Sequence, residues 1–108
     1  TKAVKFYKQG LNEYNRGNYV TALKNVERSL SFYRYSKNKK LMLKLRQLGY
    51  DNYTNGISLI NFKPDLALKY LLTAEELIDP KDKKTKEKIS EAIEQLRSQL
   101  EEEQHTGE

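Results

Sequence analysis

Residues 10–26 read GLNEYNRGNYVTALKNV, and residues 49–71 read GYDNYTNGISLINFKPDLALKYL. Gly10, Tyr14 and Gly17 of the first stretch recur as Gly49, Tyr53 and Gly56 of the second, at the same spacings and 39 residues on. Ala22, Leu23 and Val26 recur as Ala67, Leu68 and Leu71, 45 residues on. The two stretches match if six residues, roughly 57–62, are inserted in the second. Such a pattern reads as one supersecondary unit used twice. A single unit cannot bury its apolar face alone, and a neighbouring copy completes the core.

The periodicity on either side of these stretches is helical. From Lys2 to Asn15, Val4, Tyr7, Leu11 and Tyr14 fall three and four residues apart, which places them on one helix face. Arg16-Gly17-Asn18 breaks the pattern, with Gly17 suited to ending a helix and Asn18 suited to capping the next. Tyr19, Ala22, Leu23, Val26, Leu30 and Tyr33 form the stripe of a second helix. Ser36-Lys37-Asn38 reads as another interruption. A third, longer helix is predicted from about Lys39 to Ile60, carrying Leu41, Leu45, Leu48, Tyr53, Ile57 and Ile60. Gly49 and Gly56 each cost that helix roughly 1 kcal/mol relative to alanine, which predicts close packing or a bend there. Pro64 fits the first turn of a fourth helix with Leu66, Ala67, Tyr70, Leu71, Ala74, Leu77 and Ile78, stopped by Asp79-Pro80. A fifth, from about Lys83 to Glu102, has Ile89, Ala92, Ile93, Leu96 and Leu100 on one stripe. Residues 104–108 are expected to fray. No strand pattern competes.

The expected architecture is all-α with five helices: stacked antiparallel pairs and a C-terminal capping helix in one domain, 1–103. Repeat one spans about 3–36, repeat two about 39–80, and the cap about 83–102. The chain has 108 residues and no cysteine, so neither a disulfide framework nor a thiolate metal site is expected. No apolar run approaches the roughly 18–20 residues that cross a bilayer, and no signal peptide is visible. The opening at Thr1 without methionine reads as a processed form or fragment, with any anchor or targeting segment upstream. The richness in lysine, asparagine and tyrosine fits an AT-rich, bacterial coding genome, and both cytoplasm and cell envelope are compatible with it.

On these residues the sequence resembles the tetratricopeptide repeat family. Leu45, Leu48 and Gly49 resemble the opening of its repeat, and Phe6 with Gly10 does so in part. Residues 17–22, Gly-Asn-Tyr-Val-Thr-Ala, look like its turn into the second helix, and Ala67, Leu71, Ala74 and Pro80 like its close. Departures are Gln9 for leucine, Tyr14 and Tyr53 one place late, Ser29 for a small apolar residue, no proline closing the first repeat, and the extra residues after Gly56. The resemblance covers about 3–80. It implies stacked helix pairs and a partner bound in a groove lined by the first helix of each pair. Mapped onto this sequence, that surface comprises Tyr7, Leu11, Tyr14, Asn15, Arg46, Tyr50, Tyr53 and Thr54. The basic-asparagine set with which some family members clamp a C-terminal carboxylate is not reproduced. Two repeats and a cap fall below the usual minimum of about three, which points to self-association or to further segments of a longer parent.

Charge offers a second candidate surface. The net charge is +5, and between Glu27 and Asp51 there is no acid, while Arg28, Arg34, Lys37, Lys39, Lys40, Lys44 and Arg46 are basic. Tyr33 and Tyr35 lie within that run. Such a stretch suits an acidic protein, nucleic acid or an anionic membrane surface, or simply a solvated face. The Lys81, Lys83, Lys84, Lys86 and Lys88 cluster reads as a solubilising surface, although cations at a helix start oppose the macrodipole. His105 is the only histidine, and no glycine-rich phosphate loop or pocketed carboxylate pair is patterned. The reading is therefore a non-catalytic module without cofactor or metal, binding another protein or peptide, with nucleic acid or an anionic surface, or a spacer role, as the rivals.

Overall fold

A computed structural model describes residues 1–106, excepting the side chains of residues 105 and 106. Five helices follow in order: α1 (Lys2–Asn15), α2 (Tyr19–Phe32), α3 (Ser36–Leu59), α4 (Pro64–Leu77) and α5 (Lys83–Thr106). No strand occurs among the described residues. The all-helical, hairpin-built class expected from the periodicity is thus the observed one.

Each boundary has a local cause. Thr1 caps α1 through its hydroxyl, which accepts from Val4 N–H at 3.3 Å. At the other end Gly17 adopts φ +82°, its N–H reaching Tyr14 O at 3.0 Å while Asn18 N–H reaches Glu13 O at 2.9 Å. That pair of bonds is the Schellman termination, which glycine allows without steric cost. Asn18 does stand at the N-cap of α2, but its side chain caps nothing there. Its Nδ2 instead donates back to Glu13 Oε2 at 2.8 Å, tying the turn to the end of α1.

Ser36-Lys37-Asn38 is not an interruption but the first turn of α3. Tyr35 O accepts from Lys39 N–H at 3.1 Å, which makes Tyr35 the N-cap, and Asn38 Oδ1 accepts from Tyr35 N–H at 2.9 Å. Asn38 thus plays the part that glutamate or glutamine usually takes in a capping box. Its Nδ2 donates to Tyr33 O at 2.8 Å and to Ser29 Oγ at 3.0 Å, and Ser29 Oγ donates to Ala3 O at 2.6 Å. Ser29 and Asn38 are fully buried, and this network satisfies their polar groups while joining α1, α2 and α3. Polar residues at these two positions look like surface in the sequence, and only the fold pairs them.

The chain divides into two compact units, Thr1–Gln47 and Leu48–Glu108, with the boundary inside α3. In the first, α1 and α2 form an antiparallel hairpin that closes on Gly10. A Cβ there would lie 2.9 Å from Val26 Cγ2 and 3.2 Å from Ala22 O. In the second, α3 meets α4 at Gly56, where a Cβ would lie 2.7 Å from Leu71 Cγ and 3.3 Å from Ala67 O. It meets α4 again at Gly49, where a Cβ would lie 2.7 Å from Ile78 N and 2.8 Å from Leu77 C. α4 and α5 then pack through Ala67, Leu71, Ala74, Ile78, Ile89, Ile93 and Leu96, with Tyr50, Tyr53 and Leu68 against that cluster.

These contacts correct the repeat register. The glycine that faces Ala22 and Val26 is Gly10, and the one that faces their counterparts Ala67 and Leu71 is Gly56, not Gly49. Tyr7, Gly10, Leu11 and Asn15 correspond to Tyr53, Gly56, Ile57 and Asn61, 46 residues on, beside the 45-residue offset of the second helices. No insertion at 57–62 is then needed. The extra length is the first half of α3, residues 36–47, which belongs to the first unit. At the far end α5 continues through Thr106 instead of stopping near Glu102. Of the residues expected to fray, 107 and 108 lie outside those described.

Candidate interaction surface

The residues expected to line one groove have different duties. Tyr7 is half-buried and meets Tyr35 edge-on, with ring centroids 5.9 Å apart. Tyr14 meets Tyr19 edge-on at 5.6 Å, closing the α1–α2 turn. Leu11 is half-buried and Asn15 exposed beside them, and Arg46 is half-buried on α3. Tyr50 and Tyr53 belong to the second unit, where both pack against its apolar cluster. The Tyr50 hydroxyl is committed as well, donating to Asp82 Oδ2 at 2.6 Å. Thr54 Oγ1 turns back onto Tyr50 O at 3.1 Å. The structure therefore gathers Tyr7, Leu11 and Tyr14 on the first hairpin and assigns Tyr50 and Tyr53 to packing.

Asp82 had no assigned role in the sequence beyond the lysine-rich surface around it. Its carbonyl accepts from Lys86 N–H at 3.1 Å and its Oδ1 from Thr85 N–H at 3.1 Å, so it is the N-cap of α5. The hydrogen bond from Tyr50 and those from Thr85 hold its carboxyl below the ordinary aspartate range. One acid at this cap, bonded on both oxygens, offsets part of the dipole conflict of the lysines that follow.

The surface that stands out lies on the first unit. Its buried apolar residues are Ala3, Ala22, Leu23, Val26, Leu41 and Leu45, with no aromatic among them. The aromatics lie outside that core: Phe6 and Tyr7 are half-buried, Phe32 is 46% exposed and Tyr33 68% exposed. Phe6 and Phe32 stack at 5.8 Å with 7° between their planes, and Tyr33 stacks on Tyr35 at 6.4 Å. Cations surround the first pair. Arg28 Cζ sits 4.4 Å from the Phe6 centroid, Lys5 Nζ 5.8 Å from it, and Lys2 Nζ 5.4 Å from the Phe32 centroid.

Charge concentrates here too. Thr1–Gln47 carries twelve Lys and Arg against Glu13 and Glu27 alone, whereas the rest of the chain carries thirteen Asp and Glu against eight Lys and Arg. Arg34, Lys37, Lys39, Lys40 and Lys44 are exposed, and none of them, nor Lys2, Lys5 or Arg28, forms an ion pair with a carboxylate among the described residues. Close by, the Tyr35 hydroxyl is buried without a hydrogen-bond partner among the described residues, and burial, then the neighbouring Tyr7, raises its pKa above the ordinary phenol value.

Comparison with known families, characterised proteins and solved structures finds no match for this chain. The surface is accordingly read from its own chemistry. Phe6, Arg28 and Phe32 were not singled out together by the sequence. Lys2 and Phe6 are four residues apart on α1, and Arg28 and Phe32 four apart on α2, but only the hairpin register sets the two pairs side by side.

Proposed function

We propose that this chain is a non-catalytic, tetratricopeptide-like protein-interaction module whose binding face is the first hairpin and the start of α3. The observation that carries this reading is the placement of aromatics on the first unit. Its core is closed by glycine, alanine, leucine and valine, leaving Phe32 and Tyr33 exposed and Phe6 and Tyr7 half-buried outside it. Aromatic side chains beside arginine are the commonest energetic anchors of protein interfaces, and folding of this unit does not require them as core. The excess of cations on the same unit steers an oppositely charged partner and speeds encounter. Tyr7 and Tyr14 belong to this face as aromatics, Arg46 by its charge and Leu11 by its place between the two tyrosines on α1, whereas Tyr50 and Tyr53 do not.

The test is quantitative capture of a native partner from the cells that encode the chain. Phe32→Ser with Tyr33→Ser should abolish capture, and Phe62→Ser, which removes an exposed aromatic of the second unit, should preserve it. Retention by the first variant with loss by the second would move the face to the other unit and overturn the reading.

A further inference from the structure

We propose that Lys2 and Phe6 of α1, with Arg28 and Phe32 of α2, form a carboxylate-binding site for the side chains of an acidic protein segment. This rests on the reading of the first unit as a protein-binding face and names the chemistry of the partner. The site is built by register. Each helix contributes two residues one turn apart, and the antiparallel contacts of Ala3 with Ser29 and of Gly10 with Val26 bring the two pairs together.

Arg28 is the centre of the site. Its guanidinium rests 4.4 Å from the Phe6 centroid, and its N–H groups have no hydrogen-bond partner among the described residues. Contact with the ring favours one placement of the guanidinium before any ligand arrives, so less freedom is lost on binding. The planar fork matches a carboxylate through two parallel hydrogen bonds. Lys2 and Lys5 supply further positive charge within reach of the same rings, and the exposed ring of Phe32 offers apolar area to the methylenes of a glutamate or to an adjacent apolar residue.

Stability of the helix itself does not account for these cations. α1 has no acid in its first turn and begins with Lys2 and Lys5, where positive charge opposes the helix dipole. Single-stranded nucleic acid is the less suitable occupant. A base stacks on an open ring face, whereas Phe6 is flanked by Phe32, Arg28 and Lys5 and only Phe32 of the pair is exposed. The carboxylates recognised are those of side chains along a segment, so a free C-terminus is not required.

The experiment is fluorescence anisotropy of the full chain with a labelled, C-terminally amidated peptide of alternating glutamate and leucine, about a dozen residues long. Saturable binding is expected at low salt, weakening towards about 150 mM salt as exposed charges are screened. Arg28→Ala should weaken it about tenfold or more, and Arg28→Lys by an intermediate factor because the paired hydrogen bonds are lost. Lys69→Ala, an equal loss of charge on the second unit, should stay within about twofold. Circular dichroism establishes that each variant is folded. Equal weakening by Arg28→Ala and Lys69→Ala would overturn the site, as would no saturable binding by the wild type. Tighter binding of a thymidine dodecamer or of phosphatidylserine vesicles than of the peptide would overturn the choice of ligand. Sedimentation of the unliganded protein covers the remaining occupant: an oligomer that Arg28→Ala dissolves would assign the patch to a second copy and overturn the proposal. Peptide failure with capture still sensitive to Phe32→Ser and Tyr33→Ser would leave the binding face standing and remove only its carboxylate chemistry.

Discussion

Gly49→Ala is the sharpest perturbation of the fold. In an unobstructed helix interior this change is favourable by about 1 kcal/mol, because alanine is the better helix former. Here the added methyl would lie 2.7 Å from Ile78 N and 2.8 Å from Leu77 C, where ordinary contact begins at 3.4 Å. Both atoms are main chain at the end of α4, so no side-chain rotation relieves the overlap, and α3 must retreat from α4 by about 0.7 Å. Overpacking of this kind costs about 1–3 kcal/mol, and the rigid partner puts it at the upper end. The net effect is a destabilisation of about 2 kcal/mol, or a fall in Tm of about 8–16 °C for a domain this size. Gly10→Ala should cost less, since its nearest neighbour is the methyl Cγ2 of Val26. Thermal and urea unfolding followed by far-UV circular dichroism measure both. An unchanged or raised Tm for Gly49→Ala would refute the close approach of α3 to α4.

Three further outcomes concern single side chains. Asn38→Ala removes the cap on Tyr35 N–H and strips partners from Tyr33 O and Ser29 Oγ inside the first unit. It should cost about 3 kcal/mol in urea unfolding, and a loss under about 1 kcal/mol would show that the network is dispensable. Tyr35→Phe deletes a buried hydroxyl that has no partner among the described residues, so stability should hold or rise by up to about 1 kcal/mol. A clear loss would reveal a hydrogen bond to that hydroxyl. Asp82 has a lowered pKa when folded, so the stability it contributes is fully present above the unfolded carboxylate's pKa and is lost as pH falls through the lowered value. The stability gap between wild type and Asp82→Asn should therefore narrow from neutral to strongly acidic solution, and a gap independent of pH would contradict the Tyr50 and Thr85 bonds.

Helix identity was legible because apolar residues recur at helical spacing and because Gly17, Pro64 and Asp79-Pro80 mark turns with known chemistry. Two features were not. Ser36-Lys37-Asn38 reads as a polar break, yet Asn38 is interior because Ser29, nine residues earlier, offers it a buried partner. The repeat register was also ambiguous, since α3 holds two glycines seven residues apart and both are buried against α4. Matching Gly10 to Gly49 preserves the spacing of Tyr14 and Gly17, but Gly17 is a left-handed turn and Gly56 is helix interior. Gly56 is the counterpart by contact.

The candidate face was legible in kind but not in membership. The tyrosines were visible as amphipathic residues on helix stripes, and their division between surface and packing depends on neighbours distant in sequence. Tyr50 is claimed by Asp82, 32 residues on. The run from Arg34 to Lys44 was visible as charge. The Arg28, Phe6 and Phe32 cluster was not, because it exists only once α1 lies antiparallel to α2.

The repeat rests on one hairpin being built twice, with Gly10 and Gly56 as counterparts. A nuclear Overhauser spectrum of the isotope-labelled chain measures this directly. Cross-peaks are predicted from Gly10 Hα to the Val26 methyls and from Gly56 Hα to the Leu71 methyls. A spectrum in which Leu71 instead meets Gly49, with Gly56 silent, would contradict the register and the pairing of the two hairpins.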